Sequence, residues 1–178
     1  MKRLASALLI AVLASGCAHA PATTAAAPAV SSAAAASTLK LFEPLPGLYT
    51  AGQPSAQDWA GMRARGITTV INLRTPEELK GRDEAAEVKA AGMRYLEIPV
   101  AGADGINDAN AKLLHEALAP AHGAVLVHCA SSNRAGALLA LEQADFDGVS
   151  KDAALELARK AGVTSLENKT KQALGISP

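Results

Sequence analysis

The residues of this chain whose types and spacing could do chemistry stand together in Val127-His128-Cys129-Ala130-Ser131-Ser132-Asn133-Arg134-Ala135-Gly136, where an apolar run gives way to a helical pattern. A thiol at such a junction meets the positive end of a helix, and the free backbone N–H groups there stabilise negative charge, which favours a thiolate nucleophile. The same N–H groups bind an anionic substrate, and Arg134 adds a planar fork able to hold two oxygens of a phosphate or sulfur oxyanion. Ala130, Ser131, Ser132 and Asn133 are small enough to leave the loop backbone accessible, which makes them candidate substrate-binding residues. Taken alone, Cys129 would be a small buried hydrophobe. Arg134 and the strand-to-helix setting shift the reading to catalysis.

Such a loop needs strands and helices to hold it, and the sequence alternates them. Leu48-Tyr49-Thr50 is a short strand, Ser55 to Asp58 caps a helix with Trp59 and Met62 facing inward, and Gly66 ends it. The β-branched run Ile67 to Leu73 reads as a buried strand, Thr75-Pro76-Glu77-Glu78 as a helix start, and Asp83 to Ala91 as a helix. Tyr95 to Val100 forms a further strand. A helix opening at Asn107 or Asp108 carries Leu113, Leu114 and Leu118, and Ala124 to His128 is the strand that delivers Cys129. Helices over about 134–145, 150–161 and 165–174 complete the chain, with Leu155, Leu157, Ala158 and Leu166 as packing residues. The expected fold is α/β: three layers, with a mostly parallel central sheet and helices on both faces.

Several polar residues read as structural. Asp83, Glu84 and Glu87 form a solvated helix face, and Arg74 either approaches the pocket or pairs with Glu77 or Glu78 on the surface. His115 and His122 face solvent, and no histidine spacing suggests a metal site or a bound cofactor. The loops expected to shape a pocket are Glu43 to Gly47 and Ala101 to Asn107.

The amino terminus is of another kind. Lys2 and Arg3 precede an uncharged run from Leu4 to Leu13, too short to cross a bilayer but suited to a signal segment, and Leu13-Ala14-Ser15-Gly16-Cys17 resembles a bacterial lipobox. Residues 1–16 are thus expected to be a lipoprotein signal peptide, with Cys17 lipidated and the chain anchored in the periplasm, on the outer membrane. Plain cleavage near Ala18 to Ala20 is the alternative. Residues 17–38, rich in Ala, Pro, Ser and Thr and without Asp, Glu, Lys or Arg, read as a tether, and 39–178 as one domain. A length of 178 residues with 49% hydrophobic content excludes wholesale disorder, and 17 basic against 17 acidic residues gives no electrostatic draw to nucleic acid.

His128-Cys129, a short loop and Arg134 resemble the signature of the cysteine-dependent phosphatases. Leu48 to Ser55 and Gly66 to Arg74 are similar to the opening of their dual-specificity branch and to the bacterial phosphatase-like domains found in beta-lactamase hydrolase-like proteins. The resemblance covers about Leu45 to Leu141. It implies that Cys129 attacks phosphorus to give a phosphocysteine, that Arg134 holds the equatorial oxygens, and that His128 supports the thiolate from below. It also implies a general acid on the loop after the 95–100 strand, where Asp104 is preferred over Asp108 because Asp108 stands where a helix cap is wanted. The implied partner is a phosphorylated protein or small molecule. Four residues separate Cys129 from Arg134, a loop length shared with rhodanese-like sulfurtransferases, so a persulfide-forming enzyme is the alternative and a silent anion-binding module the third.

Overall fold

The computed structural model describes residues 39–176. The expected signal segment, Cys17 and the tether lie outside the described residues. Five strands, β1 (Leu41–Leu45), β2 (Leu48–Ala51), β3 (Ile67–Asn72), β4 (Arg94–Glu97) and β5 (Ala124–His128), form one sheet in the order β1-β2-β5-β3-β4. Only β1, which the sequence reading missed, is antiparallel to its neighbour. Its irregular register and the polar Glu43 and Pro44 within it hide the usual alternation.

Two layers of helices cover the sheet. α1 (Asp58–Ala64) and α3 (Glu84–Ala90) bury Trp59, Met62 and Val88 against Val70 and Leu126. α4 (Asp108–Leu118), α5 (Asn133–Phe146), α6 (Lys151–Lys160) and α7 (Glu167–Ala173) lie on the other face, where Leu114, Leu138 and Leu139 meet Ile71, Val125 and Val127. The short α2 (Pro76–Leu79) follows β3. Successive residues of a strand point to opposite faces, so Leu126 and His128 belong to the first side and Val127 and Cys129 to the second. Burying a side chain such as Leu138 contributes about 1.5–3 kcal/mol, and the second face holds most of them.

The strand order positions the site. β5 enters between β2 and β3, and its carboxyl end opens where the chain leaves both neighbours, the usual place for a ligand in a parallel sheet. Gly47, by contrast, accepts a 2.9 Å hydrogen bond from Val125 N at the other end of β5, so the 43–47 loop does not shape the pocket as expected.

His115 is not a free surface residue either. It stacks on Phe146 with ring centroids 4.7 Å apart, and its Nδ1 lies 2.9 Å from Oε1 of the buried Glu142, tying α4 to α5. Those two residues with Asp147 are the only described group whose ligand atoms stand close enough to hold a metal ion.

Candidate active site

Cys129 is 1% exposed, directly after β5, and Asn133 begins α5, so the thiol does lie at a strand-to-helix junction. The intervening loop is pinned from the side by the segment after β2. Gln53 N donates to Ala130 O at 3.2 Å, and Gly52 pairs with Ser131. A Cβ on Gly52 would stand 3.1 Å from Ala130 O, so the glycine permits this close approach.

Inside the loop the side chains divide. Ser132, at φ 69°, turns inward and its Oγ donates to Ala161 O at 2.8 Å, so its side chain is spent on structure. Asn133 is also largely engaged: its Oδ1 accepts from Thr164 N at 2.8 Å and Leu166 N at 3.2 Å, while Nδ2 donates to Ser131 Oγ at 3.3 Å. Of the expected substrate-binding set, Ala130, Ser131, Asn133 and Arg134 do line an open cleft.

Arg134 is where the sequence reading fell short. Its guanidinium donates to both oxygens of Glu78, Nη1 to Oε2 at 2.7 Å and Nη2 to Oε1 at 2.6 Å, and Nη1 also donates to Val100 O at 2.7 Å. The sequence alone suggests Glu78 as a partner for Arg74, and it does meet that side chain, with Arg74 Nε 3.7 Å from Oε1. Glu78 additionally accepts from Thr75 N at 3.0 Å, which closes the first turn of α2. The hydrogen bonds from Arg134 outweigh partial burial and, with Thr75 N and Arg74, hold the Glu78 carboxyl down at about 2. Arg134 is held protonated above its ordinary value, first by Glu78 against the cost of burial, and also by Cys129.

Beneath the loop lies a second surprise. His128 and Glu84 are both completely buried, with Nε2 2.7 Å from Oε1, so Glu84 does not belong to a solvated face. The two atoms are close but not aligned as a regular hydrogen bond, and His128 Nδ1 has no hydrogen-bond partner. Burial, the largest influence on Glu84, works to raise its pKa. His128, the Gln53 amide and Arg82 together overcome it and lower the value. Gln53 donates to Glu84 Oε2 and accepts from Arg74, so one side chain links the polar floor to the arginine pair. The period-3.6 pattern of 83–91 gave no sign that Glu84 turns inward. The signal available was a histidine at the end of β5 and a glutamine just after the neighbouring β2.

The cleft above the loop has a volume of about 500 Å³. Ala101, Gly102 and Ala103 line one part of its wall, Ser165 and Leu166 a second, and Thr75 and Glu78 a third. Asp104 is next to the first wall, but its side chain is fully exposed and stands 3.6 Å from Lys169 Nζ. The helix cap is Asn107, whose Oδ1 accepts from Asn110 N at 3.0 Å, so the reason for setting Asp108 aside does not hold. Leu166, expected only to fill the core, lines the cleft.

The comparisons with known proteins agree with this geometry. The family described as beta-lactamase hydrolase-like protein, phosphatase-like domain, matches residues 42–146. A beta-lactamase hydrolase-like protein of Xylella fastidiosa is 37% identical over 100 residues, 54% of this chain and 23% of that one. Dual specificity protein phosphatase 26 of Bos taurus is 34% identical over 101 residues, 54% of this chain and 46% of that one. This chain therefore spans less than half the length of these curated relatives. Among solved structures, P. aeruginosa TpbA superposes with a TM-score of 0.62 at 27% identity, over 77% of this chain and 84% of that one, and its Cys→Ser variant has been solved with phosphotyrosine. The signature loop, its partners and the fold that carries them place this chain in the phosphatase-like domain family of the beta-lactamase hydrolase-like proteins.

Proposed function

We propose that the domain is a cysteine-dependent phosphomonoester hydrolase of the tyrosine and dual-specificity type. The observation that carries the reading is Cys129 at the head of a helix with Arg134 turned over the same loop, its guanidinium gripped by Glu78 and Val100 O so that it is fixed in place before any substrate arrives. In this mechanism the Cys129 thiolate attacks phosphorus, the bond to the leaving oxygen breaks, and an acid protonates that oxygen. Water then attacks the phosphocysteine, gives its proton to the same carboxylate, and releases phosphate and the thiolate. His128 supports the loop from the buried side through Glu84.

The choice of acid rests on electrostatics and reach, with Asp108, exposed in the first turn of α4, the alternative to Asp104. Glu78 lines the cleft, but a carboxyl held at about 2 stays ionised and has no proton to give. Asp104 remains the proposed acid, on a loop whose Val100 end is bound to Arg134, and it reaches the leaving oxygen by exchanging Lys169 for the cleft. The substrate is a phosphorylated protein or small molecule. Family membership and the phosphatase neighbours favour this chemistry over sulfur transfer.

The test runs p-nitrophenyl phosphate hydrolysis and thiosulfate-to-cyanide transfer on one preparation. Phosphate release should vanish in Cys129→Ser and Arg134→Ala, and fall with a changed pH profile in Asp104→Asn. Thiocyanate formation that depends on Cys129, without phosphate release, would establish the sulfurtransferase instead. We further propose that Cys17 carries the lipid anchor. Replacing it by Ser should move the protein from the membrane to the soluble fraction.

A further inference from the structure

Neighbouring residues of the signature loop hold two separate segments that wall the cleft. Arg134 reaches Val100 O, the root of the 101–103 wall, at 2.7 Å. Asn133 accepts from Thr164 N and Leu166 N, the root of the 165–166 wall, at 2.8 and 3.2 Å. The second wall comes from the connection between α6 and α7, beyond the residues 42–146 that match the family.

The chemistry of the walls is uneven. The 101–103 wall is Ala-Gly-Ala, low and flat, and its loop is tied by Gly105 N to Ala101 O at 3.2 Å and Ile106 N to Ala103 O at 3.1 Å. In the second segment, Leu166 is the only residue lining the cleft with an apolar side chain larger than a methyl group. An anion seated in the 129–134 loop directs its ester oxygen, and whatever that oxygen carries, into the space between these walls. Leu166 is half-buried against the core, so its position there is fixed by packing.

We propose that Leu166, held by Asn133, is the specificity-determining wall of this site, and that it selects esters whose leaving group is flat and apolar. This rests on the anion-binding loop of the function proposed above and adds the part of the substrate that the loop does not touch. Asn133 is then a positioning residue, acting on the leaving group only through the 164–166 backbone.

The experiment measures binding, which needs no turnover. In the full chain carrying Cys129→Ser, phenylphosphonate and methylphosphonate present the same anion with and without an aryl group. Phenylphosphonate is expected to bind about tenfold more tightly, the discrimination that one apolar contact surface supplies. Adding Leu166→Ala should erase most of that preference while leaving methylphosphonate affinity unchanged, which also shows that the loop is intact. Ala101→Trp, at an exposed position elsewhere in the cleft lining, should erase the same preference by filling the space. An unchanged preference in Leu166→Ala, parallel weakening of both ligands, or no binding of phenylphosphonate at all overturns the proposal. A preference that depends on Leu166 in a protein that releases no phosphate would instead leave this subsite standing and remove the hydrolase reading.

Discussion

His128 and Cys129 are neighbours in the chain, yet they face two different interiors. On the Cys129 side, α4, α5, α6 and α7 close over the sheet with aliphatic residues, and nine consecutive residues of α5 from Ala135 to Gln143 are buried. On the His128 side, the space under the loop is filled by ionisable and amide groups: Glu84, Gln53 and Arg82, with Glu87 joining Arg82 to Trp59 Nε1. The thiol is thus placed by packing and its neighbour by polar contacts. The difference teaches that the site has two independent supports with unlike tolerances. A close-packed apolar face loses stability in proportion to the volume removed, whereas a buried polar group fails by leaving its partner unpaired.

The largest effect is expected on the polar side. Glu84→Ala strands His128 in a dry site and should cost about 3–5 kcal/mol, read from urea unfolding. The companion variant with Glu84→Leu and His128→Leu should recover most of that loss, since an apolar pair of similar volume has no charge to desolvate. If the double variant is as unstable as Glu84→Ala, the two supports do not differ in kind.

On the apolar side, Leu138→Ala should cost about 2–5 kcal/mol without a rescuing partner substitution. Gly136→Ala tests the opposite direction there. A methyl group would stand 2.8 Å from a Val163 methyl, 2.9 Å from Ala161 Cβ and 3.2 Å from Ala158 O. Overpacking of about 1–3 kcal/mol is expected, reduced by the helix preference for alanine, and a rise in thermal midpoint would contradict it.

The smallest effect belongs to the link at the cleft. Glu78 has its pKa depressed in the folded protein, chiefly by Arg134, from 4.5 to about 2. Its stabilisation is therefore complete above the unfolded value and is lost as pH falls from about 4.5 towards 2. Because the carboxylate is partly exposed, the change should stay below about 1 kcal/mol, and Glu78→Gln should flatten that acid limb in a pH series of unfolding midpoints.

What was legible in the sequence follows the same division. The strands 67–72 and 124–128, the inward Trp59 and Met62, and the helix after the cysteine could all be read, because apolar period and β-branching report burial directly. Cys129 and Arg134 stood out for the same reason, being chemical groups at the end of a clear strand. Glu84 and Glu78 did not. A carboxylate that turns inward to meet a histidine or an arginine from distant chain looks, within its own helix, like any solvated acid. Ser132 and Asn133 were legible only in part, since the sequence shows two short polar side chains in a loop but not that both are engaged by the 161–166 segment.

One carbonyl, that of Ala161, accepts from Thr50 Oγ1 and from Ser132 Oγ, both at 2.8 Å, joining β2, the signature loop and the end of α6. It bears on where the domain could be cut. The family match spans residues 42–146, but a chain excised at its end would lose the acceptor of two buried hydroxyls, the 164–166 backbone that occupies Asn133, and the cover over α5. The stretch outlined by the family match is shorter than the set of contacts that shapes the loop, which extends through the 161–166 segment.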